Sequence, residues 1–485
     1  MTAGTDQAGR KAALRALDER LAVEPDALEA RFARARLLTL LGRFEEARAD
    51  YLAALARAPT HLDALNDLGT LLHNTGFLTA ARTCYAEAVA HHPLAPVPRI
   101  NLANMLLDAN ELEAARANYE AALAIDPRLP EAHQGMARIF AELAEDEAAA
   151  HHRRLGFADR CLVEQPYYGE GQGIPLLVLV ASVGGNIATR FLIDDRLYHC
   201  RALVADFLDP STDLPPHAAI FNAIADADLA RTALEAAQSI VARTSVPVVN
   251  APSAVLETGR VANARRLAAV HGVIAARTVA FSRAVLVSEG ATALAAQGFV
   301  FPLLLRRPGF HTGRHFLRVD RAEQLDAALA ALPGAELIAI EFLDARGFDG
   351  GVRKYRAMIV DGRLYPMHLA VSREWKVHYF SADMAEFAQY RAEEECFLSD
   401  MAGAIGPAAA AALHRVRDVL ALDYGGVDFG LDRDGRVLLF EANAGMVVNP
   451  PEPDPRWDYR RSAVARILDA VRAMLADRVS AAGAR

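Results

Sequence analysis

Apolar and small positions recur along the first third of the chain at one fixed step. Tyr51, Tyr85 and Tyr119 fall 34 residues apart, as do Ala47, Ala81 and Ala115, and Ala54, Ala88 and Ala122. Pro25, Pro59, Pro93 and Pro127 keep the step. Gly42 and Gly76 keep it too, with Asn110 next, and both residue types tolerate the left-handed backbone of a tight turn. Each unit reads as two amphipathic helices, the second stopped by its proline. Small residues such as Gly69 and Ala103 let the helices approach closely, and the tyrosines are expected to fill the gap to the next unit. One hairpin cannot bury its apolar face alone, so stacking supplies the core.

From about Gly173 the pattern changes. IPLLVLVAS, CRALVADF, AAIFNAIAD and VPVVNAP are short apolar runs separated by helical stretches such as DLARTALEAAQSIVART. Strands alternating with helices predict a doubly wound parallel sheet. Val183-Gly184-Gly185-Asn186 follows the first strand; it lacks GxGxxG spacing and reads as pocket lining at the strand ends. Near the C-terminus, GGVDFGLD and RVLLFEANA flank a tight turn at Asp434-Gly435, which predicts a hairpin. Glu441 and Asn443 are two apart and share a sheet face, and the hairpin can set Asp428 across from them. Three oxygen-bearing side chains on one face suit a hard cation, with Mg2+ expected. On strands otherwise so apolar, charges left unpaired would be costly. Lys354 and Arg356 share a face by the same period of two, aiming two cations at one place.

Composition narrows the function classes. The net charge is −9 with acidic residues spread along the chain, and no basic stripe points to nucleic acid. No uncharged run reaches the roughly 20 residues of a membrane span, so no membrane partner is expected. The polar N-terminus lacks the apolar core of a signal peptide. The four cysteines, Cys84, Cys161, Cys200 and Cys396, form no CxxC pair, so a reducing, cytoplasmic setting is expected. Lysine occurs only at positions 11, 354 and 376. Arginine where lysine is usual therefore keeps the charge and can pair with phosphate bidentately.

The 34-residue pattern resembles the tetratricopeptide repeat over about residues 28–129, as three full units with a half unit before and a degraded one after. Such arrays present a concave face to a peptide or protein, here with Asn66, His73, Arg99, Asn101 and Asn104 as candidate polar contacts. Self-association into a homo-oligomer is a second expectation.

The Asp on one strand followed by Glu-x-Asn on the next resembles the magnesium site of the ATP-grasp superfamily. Its carboxylate–amine ligases include D-alanine–D-alanine ligase and the ribosomal-protein glutamate ligase. The resemblance covers about residues 175–475. It implies a multidomain chain: a tetratricopeptide solenoid over 1–160, an α/β pre-ATP-grasp domain over 173–252 and an α+β ATP-grasp fold over 253–480. QPYYGEGQGIP would be the linker after the array. ATP and Mg2+ are the implied cofactors. Arg260 and Arg306 (or Arg307) would meet phosphates, with a loop Gly309–Gly313 carrying His311 and Gly313 closing over them. Backbone near Glu341, Phe342 and Leu343 would meet adenine, and Asp344 or Asp349 the ribose. Lys354, Arg356 and Arg306 would carry the transferred phosphoryl charge, and Asp428, Glu441 and Asn443 the metal. Arg373, Trp375, Lys376 and His378 would line the substrate end. The implied activity is carboxylate–amine ligation through an acyl phosphate, on a peptide or protein substrate recruited by the repeats. Two alternatives stand beside it: an ATP-grasp phosphotransferase and a catalytically silent nucleotide-binding scaffold.

Overall fold

The computed structural model describes residues 3–310, 314–377 and 382–483. The chain divides into two units, residues 1–175 with 195–202, and residues 176–194 with 203–485.

The first unit opens with α1 (Ala3–Val23) and continues as four helical hairpins: α2 (Leu28–Leu40) with α3 (Phe44–Arg57), α4 (Leu62–Thr75) with α5 (Leu78–His91), α6 (Pro96–Asp108) with α7 (Leu112–Ile125), and α8 (Pro130–Glu142) with α9 (Asp146–Phe157). The stretch read as a degraded unit is thus a full hairpin. The turn backbone keeps the period: φ is positive at Gly42, Gly76 and Asn110, and again at Ala144. One tyrosine seats differently from expectation and another as expected. Tyr85 fills the space left by Gly69 of its own hairpin, where an added Cβ would lie 2.7 Å from its ring. Tyr119 fills the space at Gly135 of the next hairpin and donates its hydroxyl to Asn104 Oδ1 at 2.5 Å. QPYYGEGQGIP is also no free linker. Tyr168 meets Phe44 edge-on at 5.4 Å, and Lys11 pairs with Glu170 at 2.9 Å. The Tyr168 N–H donates to Asp195 O at 2.9 Å, and Gln165 N–H to Cys200 O at 3.0 Å. The first short strand, β1 (Leu162–Glu164), lies here.

The second unit holds most of the remaining strands. β2 (Ile174–Val180), β4 (Ala219–Asn222) and β5 (Val248–Val249) pair in parallel, while β3 (Tyr198–Val204) begins in the first unit. Two sheets follow. One is four-stranded: β7 (Thr278–Ser282), β10 (Glu336–Glu341), β8 (Leu303–Arg306) and β9 (Phe316–Val319), in that order and antiparallel. Leu303 and Leu305 enter its core with Phe281 and Leu337, which turns Arg306 to the other face. The other sheet orders β12 (Arg363–Ser372), β11 (Val352–Val360), β13 (Tyr424–Leu431), β14 (Val437–Asn443) and β6 (Val273–Ala275). Tyr355 and Phe429 stack at 5.2 Å on one face, with Phe397 edge-on to Tyr355. Strand alternation leaves Lys354, Arg356 and Asp428 on the opposite face. Among the described residues, no helix is long and apolar enough to cross a membrane.

Candidate functional site

Strand register sets four ionisable residues abreast across this second sheet. His368 lies opposite Arg356, Arg356 opposite Asp428, and Asp428 opposite Glu441. The hairpin read from the sequence is therefore present, with Asp428 and Glu441 as direct partners.

Asp428 is fully buried. Its Oδ1 accepts from Arg356 Nε at 2.6 Å, and its Oδ2 from Arg356 Nη2 at 2.8 Å. Lys354 Nζ lies 2.7 Å from the same Oδ2. Burial pulls this carboxyl's pKa upward, but the Arg356 and Lys354 charges outweigh it and hold the group far below the usual carboxylate range. Glu441 Oε1 accepts from Arg260 Nη2 at 2.7 Å and from Asn443 Nδ2 at 2.9 Å. Asn443 Oδ1 accepts from Gly445 N–H at 2.9 Å. Arg260 is the first residue of the helix Arg260–Ala268, and its backbone N–H donates to Asp228 Oδ2 at 3.0 Å.

Arg306 completes the cation set. Burial and the nearby Arg260 charge lower its pKa to about 10, against the pull of Glu441, Asp226 and Asp228. Its guanidinium donates to Phe310 O and lies over the Phe316 ring at 5.5 Å. Buried polar atoms near this face with no hydrogen-bond partner among the described residues include the donor Arg306 Nε and the acceptor Asn263 Oδ1. A donor left open on a buried cation fits an anionic ligand. Among the described residues, no group of three His, Cys, Asp or Glu side chains could hold a metal ion. A hard cation here would rely on Asp428, Glu441 and the Asn443 amide together with oxygens the ligand brings, which is how Mg2+ is usually held.

Other residues read from the sequence fall less neatly. Glu341 closes β10 and accepts from the Arg277 N–H at 3.1 Å. Phe342 lies under the Arg318 guanidinium at 4.3 Å and meets Trp375 edge-on at 6.2 Å. Trp375 also meets Phe316 at 5.7 Å. It thus joins the aromatic cluster beside Arg306 and the expected adenine residues, away from a separate substrate end. Leu343 follows Phe342 and packs against the apolar cluster that holds Val352 and Leu438. Arg373 and Lys376 are exposed, and Arg373 lies over Phe387 at 5.9 Å. Asp344 is taken up by Arg346, and Asp349 by Arg353. Arg307 lies over Phe310 at 4.6 Å, leaving Arg306 as the inward member of the pair. His311, Gly313 and His378 lie outside the described residues.

Sequence reasoning missed His368, Asp226, Asp228 and Asn263. His368 is buried, and burial with the Arg356 and Lys354 charges keeps its imidazole neutral, its pKa well below the usual range. Its signal was present: an ionisable residue at the right alternation in the apolar run LYPMHLAV. Asp226 and Asp228, on the loop after β4, carried no such pattern.

In the array, four of the five candidate recognition residues are bonded within the array itself. Asn101 donates to Asn66 Oδ1 at 2.9 Å, Asn104 accepts from Tyr119, and Arg99 donates to Pro93 O at 2.9 Å. Two family models match this part of the chain, "Tetratricopeptide repeat" over residues 6–61 and "TPR repeat" over residues 103–143. The N-terminal region carries tetratricopeptide repeats. Solved structures resemble the same part. MamA 41-end from Desulfovibrio magneticus RS-1 is 22% identical over 30% of this chain and 81% of its own, with a TM-score of 0.28. PilF of Pseudomonas aeruginosa is 22% identical over 32% and 71%, at 0.29. A thermophilic TPR protein of Thermus thermophilus is 20% identical over 31% and 83%, at 0.27. No curated protein matches the chain. Tetratricopeptide repeats generally mediate protein–protein interaction, and in this chain the mixed α/β region after them holds the charged sheet face.

Proposed function

We propose that the second unit is an ATP-grasp catalytic domain. It acts as an ATP- and Mg2+-dependent carboxylate–amine ligase through an acyl phosphate, on a peptide or protein substrate that the tetratricopeptide repeats recruit. One observation carries the reading: Lys354, Arg356, Asp428, Glu441, Asn443 and Arg260 converge on one face of β11, β13 and β14. Four cations, counting Arg306, gather beside Asp428 and Glu441, with Asp226 and Asp228 also close to Arg260 and Arg306; so many charges in one place suit a polyphosphate with its metal better than a stabilising core. The second support is the architecture: an antiparallel four-stranded lobe carrying Arg306, followed from β10 by a five-stranded lobe that is antiparallel except where β14 meets β6.

In this reading the cations spread the charge of the transferred phosphoryl group, and catalysis is positioning plus electrostatics. Mg2+ would neutralise phosphate charge while held by Asp428, Glu441 and Asn443. The aromatic cluster Phe316, Phe342 and Trp375 would wall the base. The cleft lined by Arg260, Asn263, Leu439 and Glu441 encloses only about 60 Å³.

Incubation of the full chain with ATP, Mg2+ and cell extract tests the reading. ADP, phosphate and an amide product support it. ADP with a phosphorylated product makes the domain a phosphotransferase. The silent-scaffold reading gains from the saturation of Asp428 by its two cations, and it predicts nucleotide binding with no turnover.

A further inference from the structure

Every oxygen that would hold the metal is already engaged or adjoins one that is. Asp428 gives both oxygens to Arg356 and the second also to Lys354. Glu441 Oε1 serves Arg260 and Asn443, and the Asn443 amide oxygen serves the Gly445 N–H. A cation bound to these oxygens would sit against the Lys354 and Arg260 charges that the same carboxylates already hold. A bare divalent ion would have to expel an ammonium and a guanidinium from the carboxylates. The Lys354 and Arg260 side chains are only 20% and 17% exposed, so each would be left as a poorly solvated, unpaired charge.

A polyphosphate changes this balance. Its oxygens accept from Lys354 and Arg260, so each cation exchanges one anionic partner for another of equal strength. The carboxylate positions they leave become available to the metal. We infer that the sheet face is locked against a bare divalent ion by Lys354 and Arg260, and takes metal only together with a polyphosphate that draws these two side chains away. The inference rests on the nucleotide-binding reading above and adds an order to it: metal and polyphosphate bind as a coupled pair. By linkage, each raises the other's affinity by the same factor.

Equilibrium dialysis with Mn2+ tests the lock on the full chain, without reading activity. The arms are Mn2+ alone, Mn2+ with inorganic tripolyphosphate, and Mn2+ with ATP. In the wild type, protein-bound Mn2+ should be at least about tenfold weaker alone than with either polyphosphate. Lys354→Met with Arg260→Gln should bind Mn2+ alone at least about tenfold tighter than the wild type and lose the enhancement. If the double variant does not fold, Lys354→Met alone should shift in the same direction. Wild type that binds Mn2+ alone as tightly as with ATP overturns the lock and leaves the nucleotide site standing. A folded variant with no gain for Mn2+ alone also overturns it. Absence of ATP binding in every arm sinks the nucleotide reading itself, and the lock with it.

Discussion

Two aspartates in this chain share almost the same local chemistry and do different things. In the array, Asp50 is 2% exposed and accepts from Arg34 at 2.6 and 3.1 Å and from Arg31 at 3.4 Å. In the second unit, Asp428 is 0% exposed and is held by Arg356 and Lys354. Each is a buried carboxylate between two cations. The neighbours make the difference. The Asp50 cluster ties α2 to α3 of one hairpin and reaches α1 through Arg34 and Asp18 at 3.3 Å. Asp428 stands in a row with His368, Arg356 and Glu441, and Arg260, Arg306 and Asn443 are gathered around it. A buried ion pair is thus weak grounds for a site; a second carboxylate on the next strand, with further cations and carboxylates converging from other elements, is much stronger. The buried Glu394–Arg460 pair makes the same point. Its oxygens are closed off by Arg460, Tyr459 and the Leu369 N–H, with Arg460 in turn lying over Trp457 at 4.1 Å.

If the comparison holds, Asp50→Ala should cost about 3 kcal/mol of array stability in urea unfolding, because Arg34 and Arg31 lose their shared buried carboxylate and keep Asp18 and the Pro25 carbonyl. Arg31 and Arg34 are about a quarter exposed, which keeps the cost at the low end. ATP affinity of the same variant should be unchanged. A loss of ATP affinity would break the comparison.

Arg306→Ala should weaken ATP binding by about 1.5–3 kcal/mol in calorimetry, the range for hydrogen bonds to charged groups. Arg306→Lys should recover part of it. Unchanged affinity in Arg306→Ala would remove this residue from the site and make Arg307 the next candidate.

The smallest expected effect sharpens the array side. Ala144 has φ of 63°, a left-handed backbone that costs a side-chain-bearing residue about 1 kcal/mol. Ala144→Gly should relieve that cost, partly offset by the freer unfolded chain, and raise array stability without touching nucleotide binding. A fall in stability would mean the turn there does not follow the period of Gly42, Gly76 and Asn110.

The array was readable because repetition amplifies weak local signals: one proline or glycine means little, but a shared step of 34 residues fixes the hairpins. Its last hairpin was harder to see, since Ala144 stands where Gly or Asn usually marks the turn. The expected metal-ligand set was readable because Glu441 and Asn443 are two apart on one strand and Asp428 is a hairpin away. Its cations Arg260, Arg306, Lys354 and Arg356 were tied to it through the family resemblance alone: Arg260 is 181 residues from Glu441 and Arg356 is 72 from Asp428, and no local period links residues at such distances. Trp375 was placed at a separate substrate end because its neighbours in sequence are charged. Only the fold brings it to Phe316 and Phe342.

The central claim is that the β11–β13–β14 face performs phosphoryl transfer, and ATP turnover in Glu441→Gln tests it most directly. Glutamine keeps the shape and removes the charge. With the ligand-free melting temperature unchanged, turnover should fall by roughly two orders of magnitude, the loss of one preorganised electrostatic contact. If Glu441→Gln instead lowers the melting temperature and leaves Mg2+-dependent nucleotide binding and turnover intact, Glu441 is a structural group on the sheet and the claim fails.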